Sequence, residues 1–334
     1  VNGERITVSV VSGGDPHVLR DFLRSLYETA PGDASFTVAV TVNQPDGAQA
    51  NSVRSDAEDA GWSSLVHVRT NDAPRGFAAN HNANVRDHSA DLYIIANDDI
   101  VVLPGALARL LAFMRDPDSA AVGVASPRLL NDDRTVQGAT YSFPSPGRVI
   151  AAAADLRSNR ILGPLIDRAA RSAGPGRSRL WAHDRTMLVD SVRGAFMVVR
   201  HDAIADVGLM DEISLVGGEE LEWHRRMADA GWKVAFVHEA EVVHMGALTV
   251  GGNATLRTEY AKGWLNYFQK HGRRADVAVI RLGLGAIYAV RYARGVVTAD
   301  RSARQTNAAG LRLAARWPST WRRAVASGDV SVSR

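Results

Sequence analysis

Between Arg5 and Ser126 the sequence repeatedly changes period. Short β-branched or apolar runs (5-RITVSVV-11, 36-FTVAVTV-42, 65-LVHV-68, 92-LYIIA-96 and 121-AVGVAS-126) alternate with stretches of helical spacing. Asp15-Pro16 opens the first such stretch, in which Leu19, Phe22, Leu23 and Leu26 fall on one face. Residues 50–61 form a second, closed by Gly61, and residues 76–88 a third, entered through Gly76. A fourth starts at Pro104, a favoured first-turn residue, and carries Leu107, Leu110, Leu111 and Met114. Repeated strand–helix–strand units predict an α/β fold with a doubly wound, mostly parallel, Rossmann-like sheet. Ligands of such sheets bind beyond the carboxyl ends of the strands, so polar residues at those ends carry the most information.

Past residue 130 the alternation fades. Asp132-Asp133 reads as a turn, and 144–180 is rich in Pro, Gly, Ala and Arg without a clear period. Order returns over 186–208 with two strand-like runs and a short helix. Then come a Gly217-Gly218 turn, an acidic helix, and two short strands of which the second ends at His244. Residues 254–272, 275–299 and 303–325 read as helices. The expected organisation is a main domain over 1–253, with halves 1–126 and 127–253, and a basic helical extension over 254–334.

The strand 92-LYIIA-96 runs straight into Asn97-Asp98-Asp99. Carboxylates at the end of a buried strand are costly without a partner. Two readings fit: a turn, where Asp is favoured, or a site for a hard cation. Mg2+ or Mn2+ needs few protein carboxylates when substrate phosphates complete the shell. Glu219 and Glu220 follow Gly217-Gly218 at a helix start. There they complement the helix dipole, or one of them serves as a general base. His244, at a strand end, reads as a surface polar residue or as a metal ligand.

The chain has no cysteine among its 334 residues, which excludes disulfides, a thiolate nucleophile and cysteine-held zinc. Its start, 1-VNGERITVSVVSGG-14, lacks the basic and long apolar segments of a secretory signal. No run approaches the length of a spanning helix. The expected location is therefore cytoplasmic, with a peripheral place on the inner face of the cytoplasmic membrane as the alternative. From Arg273 onward there are 12 Arg and 3 Asp, a net +9 against +3 for the whole chain, which leaves −6 on residues 1–272. A basic tail on an acidic body points to an anionic partner.

Five segments, in order, resemble family 2 glycosyltransferases, the inverting GT-A type, and in particular their rhamnosyltransferase-like branch. They are 76-GFAANHN-82, 97-NDD-99, 194-GAFMVVR-200 with 207-VGLMDE-212, 218-GEELEWHRR-226 and 240-AEVVHMG-246, and the similarity spans roughly residues 5–272. The resemblance implies metal ligation by Asp99 and His244, with Mg2+ or Mn2+ as cofactor. It sets Asn97 and Asp98 at the donor sugar and ribose, and Ser12, Asn43, Arg75 and Asn80 around the nucleotide. Glu220 takes the slot of the family's usual Asp as base. Gly194, Glu219 and Trp223 would lie on the acceptor side.

The implied reaction moves a sugar from a nucleoside-diphosphate donor to a glycan or lipid-linked hydroxyl, in cell-wall or polysaccharide synthesis. The branch favours dTDP-rhamnose, with a UDP-hexose as the alternative donor. The chain departs from the family pattern at 40-VTVNQPDG-47, where only Asn43 or Asp46 could replace an Asp-Asn cluster, and at 213-ISLVGG-218. Glu for Asp at 220 also sets the carboxylate one methylene further out. Rival readings from other classes are a nucleotidyltransferase, for which 12-SGGD-15 is too short a loop, and a non-catalytic sugar-nucleotide-binding module. The Arg-bearing segment 275–299 suits an anionic membrane surface, packing on the body, or a homodimer. Tyr288, Tyr292, Trp317 and Trp321 lack any nucleic-acid module pattern, so no nucleic-acid partner is expected.

Overall fold

The structure, a computed structural model, describes residues 3–13, 16–32, 34–45, 47–155, 168, 183–246 and 254–317. Asp46, most of 144–180 and the part of the last expected helix beyond Trp317 lie outside the described residues. The strands are β1 (Arg5–Ser12), β2 (Ser35–Val42), β3 (Val66–Thr70), β4 (Leu92–Asn97), β5 (Ile100–Val102), β6 (Val122–Leu130), β7 (Thr140–Tyr141), β8 (Met187–Val189), β9 (Ser191–Val192), β10 (Phe196–Arg200) and β11 (Lys233–His244). The helices are α1 (Pro16–Thr29), α2 (Gly47–Asp59), α3 (Phe77–Asp87), α4 (Ala106–Arg115), α5 (Pro146–Ala153), α6 (His201–Val207), α7 (Glu219–Asp229), α8 (Ala254–His271), α9 (Arg274–Val297) and α10 (Arg301–Arg316).

Two compact units interleave along the chain. The first holds 1–142, 180–210 and 223–248; the second holds 143–179, 211–222 and 249–334. The expected single cut at 253 differs from this division, because 143–179 and 211–222 group with the C-terminal helices.

The first unit is built on a nine-stranded sheet in the order β3-β2-β1-β4-β10-β6-β11-β5, with β8 also paired to β11. Six strands run one way; β10, β5 and β8 run against them. The side-chain period of two divides each inner strand between two cores. Leu92, Ile94 and Ala96 of β4 pack with α1 and α4. Tyr93 and Ile95 face the other way, with Ala78 of α3, Ile204 of α6 and Met227 of α7. Truncating a fully buried residue such as Ile94 to Ala would cost about 2–5 kcal/mol.

The second unit packs Ala261, Leu265 and Phe268 of α8 against Ile280, Leu284 and Tyr288 of α9 and Leu313 of α10. A buried ionic knot fastens 211–222 to α8. Lys270 Nζ lies 2.7 Å from Asp211 Oδ2 and 3.3 Å from Glu222 Oε1. His271 Nε2 is 3.0 Å from Glu222 Oε1, and Asn266 Nδ2 donates to Asp211 Oδ2 at 2.6 Å.

Two local readings needed the tertiary structure. Residues 100–102, to which the sequence pattern assigns no element, form β5, three residues long and antiparallel to the end of β11. Residues 233–244, read as two strands, form one strand with an irregularity between Val237 and Glu241. The polar run His238-Glu239 breaks the apolar pattern there without ending the pairing.

Candidate active site

In the first unit, β4 and β11 deliver their carboxyl ends to one place. Asp98 and Asp99 form the turn between β4 and β5. That turn is pinned from both sides: Asn97 N–H donates to Ala195 O, beside Gly194, and Met245 N–H donates to Asp99 O, each at 2.9 Å. Asn97 Nδ2 lies 3.3 Å from His244 Nε2, and Asp99 Oδ1 lies 3.4 Å from the same nitrogen. On the far side of the ring, His244 Nδ1 is 2.7 Å from Gln137 Oε1.

The electrostatics of this cluster decide its chemistry. Burial lowers the His244 pKa to about 4, and the Arg193 cation adds to the effect. Burial also raises Asp99, opposed by its hydrogen bond from Asn97. Burial raises Asp98 as well; a hydrogen bond from Ser12 opposes the shift and the charge of Asp99 reinforces it. The short His244–Asp99 distance would suit an ion pair, but a nitrogen whose proton binds only near pH 4 is neutral at pH 7. We therefore read the contact as a neutral imidazole beside a carboxylate. Asp99 Oδ1 is buried with no hydrogen-bond partner. A neutral imidazole keeps one ring proton, so its tautomer decides whether Nε2 meets Asp99 Oδ1 with an N–H or with a lone pair.

Gly246 makes way for the Asp99 carboxylate. A Cβ at 246 would stand 1.7 Å from Asp99 Oδ2 and 3.2 Å from His244 Nε2. An orphaned carboxylate oxygen beside a neutral imidazole fits a hard or borderline divalent cation. Among the described residues no group of three or more acidic, His or Cys side chains could hold a metal. A cation here would therefore take two protein ligands, Asp99 and His244, and leave further positions to substrate oxygens.

A second cluster lies at the ends of β1, β2 and β3. Asn43 N–H donates to Ser12 O. The Asn43 side chain clasps the backbone of Arg75 at two points, from Nδ2 to Arg75 O at 2.9 Å and from Arg75 N–H to Oδ1 at 2.8 Å. Asn71 Nδ2 donates to both Asn43 Oδ1 and Asn80 Oδ1, at 2.8 and 2.7 Å. Asn80 Nδ2 in turn donates to Arg75 O. Ser12 and Asn80 are fully buried. The Asn80 side chain holds the entry to α3, whereas Ser12 Oγ accepts from Gln49 Nε2 at 3.0 Å and bonds Asp98, so neither presents a free group at a surface.

The second unit carries the acidic turn. Gly217 and Gly218 both have positive φ, 102° and 92°. The turn presses on α8: a Cβ at Gly217 would meet the Tyr260 ring at 2.6 Å, and one at Gly263 would lie 2.1 Å from Gly217 O. Glu219 is buried and accepts from Ser214 Oγ at 3.4 Å. Burial and then the charge of Glu220 push its carboxyl up to about 8. Trp223 is packed in the core of the first unit, 1% exposed, with its Nε1–H given to Gly208 O at 2.8 Å. It offers no ring face to an acceptor; its ring anchors α7.

Sequence reasoning missed Gln137 and Asn71. Each is a lone amide in a loop, outside every motif. Gln137 could have been sought as the partner that a neutral, ligating histidine needs on its other nitrogen.

The profile of the family described as glycosyltransferase like family 2 matches residues 4–276. An N-acetylglucosaminyl-diphospho-decaprenol L-rhamnosyltransferase, from two strains of Mycobacterium tuberculosis, is 30% identical over 162 residues. That match covers 48% of this chain, and the chain spans about half (49%) of the length of those curated relatives. Among solved structures, mannosyltransferase PcManGT from Pyrobaculum calidifontis, in complex with GDP-Man and Mn2+, is similar with a TM-score of 0.52 at 16% identity over 98% of this chain and 80% of that one. GalNAc-T7 with UDP, GalNAc and Mn2+ is similar with a TM-score of 0.53 at 13% identity over 79% of this chain and 50% of that one.

Proposed function

The chain belongs to the family 2-like glycosyltransferases and has their α/β, GT-A type fold, and from that premise we propose that it is an inverting, metal-dependent sugar transferase whose donor is a nucleoside-diphosphate sugar. The observation that carries this reading is the meeting of Asp99, whose Oδ1 is orphaned, with neutral His244 against Gly246, where a side chain would collide with the carboxylate. The rhamnosyltransferase relative favours dTDP-rhamnose as donor and a polyprenyl-diphosphate-linked glycan as acceptor. The Mn2+ in both structural neighbours supports Mn2+ or Mg2+ as cofactor.

In the proposed reaction the acceptor hydroxyl attacks the anomeric carbon opposite the leaving group. Glu220 takes the hydroxyl proton. The bond to the diphosphate breaks, and one displacement inverts the centre. Asp99 and His244 would hold a divalent cation, which when bound supplies positive charge to the departing diphosphate. Asn97 and Asp98 face the donor sugar and ribose. The clasp of Asn43 and Asn80 on Arg75, joined to Ser12, shapes the floor for the nucleotide. Gly194 and Glu219 belong to the acceptor side.

One surface supports a lipid-linked acceptor. Along α9, Val279, Leu282, Val290 and Val297 recur at helical spacing, and the last three are 75%, 71% and 86% exposed. Arg274 and Arg294 lie on the same helix and Arg301 opens the next. An apolar stripe on an Arg-rich segment suits the surface of an anionic bilayer. Among the described residues no helix is long and apolar enough to cross a membrane. Flotation with anionic vesicles at low and high salt tests this surface. Salt-sensitive binding supports it, and dimerisation without vesicle binding assigns the stripe to a second copy.

The reaction itself is tested with a panel of sugar nucleotides and Mn2+ or Mg2+. Release of a free nucleoside diphosphate with transfer of the sugar is expected. Release of pyrophosphate would mark a nucleotidyltransferase, and no release would mark a binding module.

A further inference from the structure

His244 is the last link of a chain of hydrogen bonds that begins at Asp133. The turn 131–137 is knitted by its own backbone: Asn131 N–H donates to Thr135 O, Arg134 N–H to Asn131 O and Gln137 N–H to Leu129 O. Its side chains then form a relay. Thr135 Oγ1 is 2.5 Å from Asp133 Oδ1. Asn131 Nδ2 is 2.9 Å from Thr135 Oγ1. Gln137 Nε2 is 3.0 Å from Asn131 Oδ1. Gln137 Oε1 is 2.7 Å from His244 Nδ1.

The chemistry of the first link fixes the direction of all the others. An ionised carboxylate only accepts, so the Thr135 hydroxyl must spend its proton on Asp133. Thr135 Oγ1 is then left to accept, and it takes a proton from the Asn131 amide nitrogen. That turns Asn131 Oδ1 toward Gln137, which must present its NH2. Gln137 Oε1 is therefore the atom facing His244, and an oxygen there requires N–H on Nδ1. Nε2 keeps its lone pair. Amide orientation and tautomer are here assigned from the network, which allows one consistent set.

The opposite tautomer breaks the chain. With the proton on Nε2, His244 would donate toward Asp99, but Nδ1 and Gln137 Oε1 would face each other lone pair to lone pair at 2.7 Å. Relieving that clash by flipping Gln137 would set its NH2 against His244 and its oxygen against Asn131 Oδ1. The fault would then pass along the relay to Asp133.

We propose that Gln137, aligned by Asn131, Thr135 and Asp133, is a positioning residue that sets the His244 tautomer and so keeps Nε2 ready to ligate a divalent cation. The proposal rests on the reading of His244 as a metal ligand, and it extends to what prepares that ligand before any cation arrives. Partners behind a ligating histidine are typically worth ~10–100-fold in metal affinity.

The test has two separable arms, both on the full chain. In the metal-free protein, imidazole nitrogen NMR reads the tautomer of His244. We expect the proton on Nδ1 in the wild type, and on Nε2, or divided between the nitrogens, in Gln137→Leu and Asn131→Leu. Gln137→Glu should keep it on Nδ1, because a carboxylate also accepts there. In Mn2+ titrations followed by EPR, Gln137→Leu should bind about 10–100-fold more weakly, with Gln137→Glu close to wild type. A wild-type proton on Nε2, or a tautomer and Mn2+ affinity unmoved by both leucine variants, overturns the proposal. If His244→Ala leaves Mn2+ affinity intact while Gln137→Leu moves the proton, the relay stands and the metal reading fails.

Discussion

Gly246 backs directly onto Asp99: a methyl group at 246 would stand 1.7 Å from Asp99 Oδ2. This close approach, rather than any turn requirement, constrains residue 246. Gly246→Ala should push the Asp99 carboxylate away from His244 and weaken Mn2+ binding at least tenfold, a loss of about 1.4 kcal/mol. Calorimetric titration checks this, alongside a urea midpoint that stays near wild type. Unchanged Mn2+ affinity would mean that the carboxylate is not the ligand.

The proposed base and the proposed ligand separate kinetically. Glu220→Gln should lower kcat by about 10²–10⁴ with little change in donor affinity, since the amide cannot take a proton. Asp99→Ala should instead raise the apparent constants for donor and Mn2+ together. Near-full turnover by Glu220→Gln would move the base elsewhere, with Glu219 next in line.

Lys270 links two buried carboxylates, Asp211 and Glu222, which are 3% and 0% exposed. Lys270→Met leaves both without their cation. Removing one partner of a buried ionic group costs about 3–5 kcal/mol, so the urea midpoint of unfolding should fall markedly. A variant as stable as wild type would show that His271 and Asn266 alone satisfy the two acids.

His81 is buried on α3 with Nδ1 at 2.7 Å from Ser9 Oγ, and burial drops its pKa from 6.5 to about 3. Folded His81 is therefore neutral where an unfolded histidine takes up a proton. Its contribution is intact above pH 6.5 and is lost as pH falls toward 3, at about 1.4 kcal/mol per pH unit. Stability measured by urea at pH 7, 6 and 5 should decline less steeply in His81→Gln, by about one proton's worth. An identical slope would mean that His81 is protonated in the folded chain.

The alternation over 5–126 was legible because each element there carries its own period. Strand β1 shows Ile6, Val8 and Val10 on one face, and α4 shows Leu107, Leu110, Leu111 and Met114 on one side. Strand β5 was not legible. Three residues have no period, and their partner on β11 is more than a hundred positions away. Strand ends, where an α/β sheet concentrates polar groups, made Asn97, Asp99 and His244 separate candidates; that they gather was implied only by the family resemblance. Gln137 and Asn71 could not, since their importance lies in which atoms they reach. Trp223 was drawn in by its neighbours in a motif, whereas its burial follows from the apolar face of α7. Asp46 lies outside the described residues.

The most direct test is pulsed EPR of Mn2+ bound to the chain with a nucleoside diphosphate, in wild type and in His244→Gln. Nitrogen coupling to the ion from one imidazole is expected in the wild type and should vanish in the variant, with Mn2+ held more weakly in Asp99→Ala. Absence of that coupling in the wild type, or its persistence in His244→Gln, would contradict the account.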